Sequence, residues 1–189
     1  MIQLSIKDRA PWTQAFCKRW LEKANDYHST AVDNACDKRV NDAFDKFFSL
    51  FVAYNKLCSY MVLTLQNPVN PDGDKDKAIK HFAEAVGRQR IWDAVSRDGG
   101  LADIQTLRSL IKGSRKFFLF VKPGTLGFEP DKPKNRCLYN KMDSTNIEER
   151  VEAILLYLYK VRCNVFHGDK ILHKAQLEIM EPSIRCLGR

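Results

Sequence analysis

Apolar residues recur along most of this chain at steps of three and four, the spacing that gathers them on one face of an α-helix. Ala15, Phe16, Trp20 and Ala24 keep that step within residues 7–27. They predict a first helix with Pro11 in its first turn, where a missing N–H costs nothing. Val40, Phe44, Phe47, Phe48, Phe51, Cys58, Val62 and Leu65 form a longer stripe over residues 35–66, with Asn55 standing in its single gap. The stripe predicts a long central helix that ends before Asn67-Pro68, since the residue preceding a proline avoids helical geometry. Residues 67–74, NPVNPDGD, read as a loop, and Asp74 is placed to cap a helix that either ends at 87 or continues to Asp98. Asp98-Gly99-Gly100 breaks it, and a further helix covers 101–112. The run FFLFV, 117–121, fits a short strand or a buried helix end, and so short a pattern does not decide between them.

Residues 122–140 hold three prolines and two glycines and are expected to form a loop. Residues 146–166 carry the clearest helical pattern, with Ser144 or Thr145 as cap and Glu148 placed for a capping box. A last helix over 170–180 should break or end at Glu181-Pro182. The expected architecture is an all-α helical bundle in one domain, residues 1–189, with a loop-rich insertion at 113–142.

Composition changes this picture little. Of 189 residues, 44% are hydrophobic, enough for an ordinary folded core. The longest apolar run is AILLYLY, 153–159, far short of the roughly 18 residues that span a membrane. The N-terminus lacks a signal peptide's apolar stretch, which points to the cytoplasm. Six cysteines at wide, irregular spacings without a C-x-x-C read as reduced thiols.

Charge adds more. The formal net charge is +8, and residues 108–141 hold nine basic residues against two acidic ones, interleaved with Phe117, Phe118, Phe120, Phe128 and Tyr139. Such a stretch suits either a solvated surface or a polyanion such as RNA, with Lys112, Arg115, Lys116 and Arg136 as candidate contacts.

The helix at 146–166 holds the candidate chemistry. Ile147, Val151, Ile154, Leu155, Leu158, Val161 and Val165 share one stripe, and Arg162 falls inside it, about 60° from Ile147. A charge there must be paired or must open into a polar pocket. By the same projection Asn55 lies in the apolar stripe of the second helix, placed either to bond a neighbouring backbone group or to orient Arg162 or a bound phosphate. His167 follows Arg162 by five residues, about 140° round a continuous helix, so the two converge only if Gly168 ends the helix or a second chain supplies half the site. Cys163 and His167 share a helix face, but two ligands are too few for zinc and no metal site is expected. His28, His81 and His173 have no motif around them and read as surface residues.

The segment LYKVRCNVFHG, 158–168, closely resembles the signature of the HEPN superfamily (higher eukaryotes and prokaryotes nucleotide-binding domains), an Arg followed four to six residues later by His, often with Asn shortly after the Arg. The segment FDKFFSLFVAYNKLCSY, 44–60, is similar to the long early helix of these domains. The resemblance implies a bundle of four or five main helices and a metal-independent endoribonuclease without cofactor, or alternatively a non-catalytic module of the superfamily that binds RNA, a nucleotide or a partner protein. It also implies a homodimer in which two motifs meet in one cleft, and roles as toxin or as defence or stress effector, with an antitoxin or regulatory protein as partner. Carried onto this chain, His167 is the general acid or base, Arg162 holds the scissile phosphate, and Asn164 positions the motif or substrate. In one subgroup a tyrosine two residues after the histidine is modified. That position here is Asp169, so such regulation is not expected.

Overall fold

A computed structural model of the chain describes residues 6–26, 35–63, 73–113, 119–125, 127–166 and 176–189. The chain is predominantly helical, as the 3.6-residue periodicity predicts. Helix α1 spans Ile6–Asp26 and α2 spans Ala35–Val62. A single turn, α3 (Asp74–Asp76), leads through a π-helical turn (Lys77–His81) into α4 (Phe82–Val86), and α5 covers Arg88–Ser96. Helix α6 spans Gly100–Gly113, α7 spans Lys132–Lys141, α8 spans Ile147–Phe166 and α9 spans Leu177–Leu187.

Helix α2 is the axis of the fold. Its side chains Val40, Phe47, Leu50, Phe51, Cys58 and Val62 are buried, with α1 along one side and α9, the π-helical turn and α4 along others. Helix α8 closes the core from the opposite side, packing on α5, α7, α9 and the π-helical turn. It buries Ala153 and Tyr157 in addition to Val151, Ile154, Leu155, Leu158 and Val161, so more than one stripe of it lies inside.

Several expectations are corrected. Pro11 is the sixth residue of α1, beyond its first turn. Ala15 is exposed and Phe16 lies at the edge of the packed face, which is instead formed by Thr13, Cys17, Trp20 and Ala24. Gly73, not Asp74, precedes α3, and no side chain caps it. Gly87, with φ 93°, ends α4 at the bound expected for the helix over 75–87, and the optional continuation to Asp98 is a separate helix, α5. Asp98 and Gly99, both at positive φ, then reverse the chain into α6.

The segment expected as a loop is ordered. Strands β1 (Val121–Gly124) and β2 (Gly127–Pro130) pair antiparallel as a hairpin, with Val121 opposite Pro130 and Gly124 opposite Gly127. The prolines punctuate elements instead of preventing them. Pro123 lies in a strand with only one neighbour, where a missing N–H is tolerated, and Pro130 ends β2. Pro133 sits in the first turn of α7, and the Asp131 carboxylate caps that helix by accepting from Lys134 N at 3.1 Å. In the run 117–121, Leu119 and Phe120 form a bend and Val121 opens β1; Phe117 and Phe118 lie outside the described residues.

Helix α8 is capped by Asn146, not by Ser144 or Thr145. Asn146 Oδ1 accepts from Glu148 N at 2.9 Å, and the Ser144 hydroxyl donates to Glu149 at 2.8 Å. Helix α9 runs through Pro182 to Leu187 instead of ending there. The carbonyl that Pro182 leaves without an N–H is that of Glu178, an exposed residue, while Leu177, Ile179, Met180, Ser183 and Ile184 hold the helix down by burial. Residues 170–175 of the expected last helix lie outside the described residues. Among the described residues, no helix is long and apolar enough to cross a membrane.

Candidate active site

Arg162 stands in the last turns of α8, half-buried beside the buried Val161. Its guanidinium carbon lies 5.8 Å from the centre of the Phe51 ring on α2 and 6.0 Å from that of Tyr159, one turn back on α8. Both distances are within reach of cation–π attraction. Tyr159 is hydrogen-bonded with the Cys163 thiol one turn on. Burial raises the Tyr159 pKa, the Cys163 thiol and the Asp74 carboxylate push the same way, and Arg162 pulls against them. The end of α8 therefore gathers a cation, a phenol and a thiol on one face, with an acidic side chain at the start of α3 close enough to be felt.

Asn164 is two residues beyond Arg162, about 200° round the helix. Its amide donates to the Leu119 carbonyl at 3.4 Å. Lys160 lies on the same side as Asn164, its ammonium 5.1 Å from the Phe120 ring. That face of α8 holds the chain as it enters the hairpin, whereas the Arg162 face meets α2. The structure thus separates Arg162 from Asn164. His167 lies outside the described residues, as do Arg115, Lys116, Asp169, His28 and His173.

Asn55 is exposed, contrary to the buried, Arg162-directed position expected for it. The gap in the α2 stripe is filled by Tyr54, one residue earlier. Its ring packs edge-on against Phe51 at 5.4 Å and Phe82 at 5.1 Å, and its hydroxyl donates to the Ala78 carbonyl. A residue that is mostly ring with one polar tip can take a stripe position that an amide cannot. His81, expected at the surface, retains only 17% side-chain exposure and approaches Glu84 at 4.0 Å.

The basic stretch divides into structural and free cations. Arg108 stacks 4.1 Å above the Tyr139 ring, donates to the Tyr139 carbonyl at 3.2 Å and pairs with Asp143 at 2.9 Å. It joins α6 to α7. Lys112 is exposed, with its ammonium 5.4 Å from the same ring, and Arg136 is exposed on α7. Lys122 pairs with Glu129 and Lys134 with Asp131, both at 3.0 Å. Among the described residues, no three His, Cys, Asp or Glu side chains gather closely enough to hold a metal ion.

An ionic cluster built on the buried Asp103 has no motif to betray it in the sequence. Asp103 on α6 is 7% exposed and receives Arg185 at 2.7 Å and Arg189 at 2.7 Å. The cluster fastens the end of α9 to α6. Comparison of the chain with protein-family models, with curated proteins and with solved structures finds no match.

Proposed function

We propose that this chain is an HEPN-type endoribonuclease that cleaves RNA without a metal, using Arg162 and His167. The observation that supports this reading is the setting of Arg162: a half-buried guanidinium at the end of a helix whose buried residues are apolar or aromatic, flanked by Phe51 and Tyr159, with His167 following the last residue of α8 in the sequence.

RNA carries its own nucleophile. In the proposed reaction one histidine accepts the 2′-hydroxyl proton as O2′ attacks phosphorus. The P–O2′ bond forms and the P–O5′ bond breaks, and a protonated histidine donates to the departing 5′-oxygen. The products are a 2′,3′-cyclic phosphate and a 5′-hydroxyl. Arg162 neutralises charge on the non-bridging oxygens through two parallel hydrogen bonds. A homodimer supplies both histidines, and a toxin or defence effector of this kind would be restrained by an antitoxin or regulatory protein.

One observation favours a second reading, a non-catalytic module of the same superfamily. Asn164 is held by the Leu119 carbonyl, on the side of α8 away from Arg162, which suits a structural role for that residue. Cleavage of an end-labelled RNA in EDTA separates the two. Cleavage by wild-type protein but not by His167→Ala, leaving cyclic-phosphate ends, supports the nuclease. No cleavage by either folded protein selects the binding module or an enzyme that needs an activating partner.

A further inference from the structure

Helix α7 reads KPKNRCLYNK and contains no acidic residue. One side of it, Asn135 and Leu138, is buried, and Lys132, Pro133, Lys134, Arg136, Cys137, Asn140 and Lys141 are exposed. The acidic residues nearest in sequence are already engaged: Asp131 by Lys134, Glu129 by Lys122, and Asp143 by Arg108. Lys132, Arg136 and Lys141, with Lys112 across the α6–α7 contact, have no ion-pair partner among the described residues. An unopposed cationic face is costly in self-repulsion and gains from a polyanion.

Its shape limits the polyanion. Ten helical residues extend about 15 Å, and Lys132 and Arg136 form a single row one turn apart, with the exposed amide of Asn140 one turn further on. One row of an ammonium, a guanidinium and an amide suits one strand, whose unpaired bases can stack on arginine and present their edges. A duplex hides those faces.

Helix α7 also has a defined place relative to α8. Near its start, the Asn135 amide donates to the Phe120 carbonyl at 2.9 Å, and Phe120 lies under Lys160 of α8. Its end leads through Met142 to the start of α8. The buried side of α7 therefore meets the side of α8 that carries Lys160 and Asn164 and not Arg162, and the exposed face lies on the other side of α7.

We infer that the exposed face of α7, with Lys112, binds single-stranded polynucleotide at a site separate from Arg162. This deepens the nuclease reading by giving the strand a place, and its test reads binding independently of cleavage. The probe is a fluorescein-labelled single strand of 2′-O-methyl RNA, which lacks the nucleophile and stays intact, followed by anisotropy. Lys132→Glu/Arg136→Glu/Lys141→Glu should weaken binding at least tenfold. It should also reduce the slope of log affinity against log salt by about 0.7 for each phosphate that the variant no longer neutralises. Arg162→Ala should lose affinity only modestly, and less than the α7 variant, since phosphate contacts remote from the chemistry carry most of the affinity. The charge-matched variant Lys18→Glu/Arg19→Glu/Lys23→Glu on α1 controls for net charge, and thermal melts confirm folding. Bound strand should also slow thiol labelling of the exposed Cys137, which reports contact at α7 itself.

Equal weakening by the α1 variant, unchanged Cys137 labelling, or equally tight binding of a duplex of the same length would overturn the inference. A DNA strand of the same sequence shows whether the sugar is read: equal affinity assigns recognition to phosphates and bases, tighter RNA to the ribose as well. These outcomes do not depend on whether His167 cleaves RNA.

Discussion

Arg162 and Asn164 are two residues apart on α8 and serve different sides of it. The guanidinium faces Phe51 of α2 at 5.8 Å, and the amide donates to Leu119, at the entry to the hairpin, at 3.4 Å. Two positions that look like one motif in the sequence are divided by about 200° of helix.

The separation sets apart the effects of two substitutions. Asn164→Ala should cost about 1 kcal/mol of stability through loss of one hydrogen bond to the backbone, leaving RNA cleavage within a few-fold of wild type. Arg162→Ala should abolish cleavage. Thermal melts beside end-labelled RNA assays measure both, and a dead but fully stable Asn164→Ala would show that the amide works in the chemistry.

Asn55 and Tyr54 offer a second contrast. Asn55 is exposed, so Asn55→Ala should change stability by less than about 0.5 kcal/mol. Tyr54→Phe removes the donor to the Ala78 carbonyl and should cost about 1 kcal/mol. Urea denaturation of the two variants measures the difference. The reverse order would return Asn55 to the interior.

Asp103 makes stability depend on acid. Burial works to raise its pKa, but hydrogen bonds from Arg185 and Arg189 outweigh it and hold the carboxyl below its usual range. A carboxylate depressed in the folded state contributes fully above its ordinary pKa and loses that contribution as pH falls through the folded value. Asp103→Asn should therefore lower stability by about 2 kcal/mol at pH 7, since hydrogen bonds to a charged group are lost. The gap to wild type should close in strong acid. A gap that stays constant down to about pH 2, below the carboxylate range, would mean that ionisation of Asp103 is not what binds α9 to α6.

The thiols should divide by burial. Burial pushes Cys58 up to about 12 and Cys186 up to about 11, with the Asp103 carboxylate adding to the second. Thiolate is the reactive form, so both should resist a thiol reagent at about pH 8 until the protein unfolds. Cys137, exposed on α7, should react in the native state. Mass spectrometry of the labelled peptides reads the order, and early labelling of Cys58 would show that the α2 core opens readily.

Sequence alone determined where most of the helices lie and that Arg162 interrupts an apolar stripe. Helical periodicity is a local property: residues three and four apart share a face whatever the partner. It was enough for α2, α6 and α8, and for the unusual position of a guanidinium near the end of α8. Only the tertiary structure decided which face met what. Tyr54 rather than Asn55 carries the α2 stripe because Phe51 and Phe82 receive its ring. Pro182 stays inside α9 because the buried face of that helix outweighs one lost hydrogen bond. The proline-rich stretch became a hairpin and a capped helix because the Asn135 amide satisfies Phe120 and Asp131, the first of them across 15 residues. Asp103 reaches Arg185 across 82 positions. Interactions at such separations are selected by the packing of whole elements and leave no periodic trace in the chain.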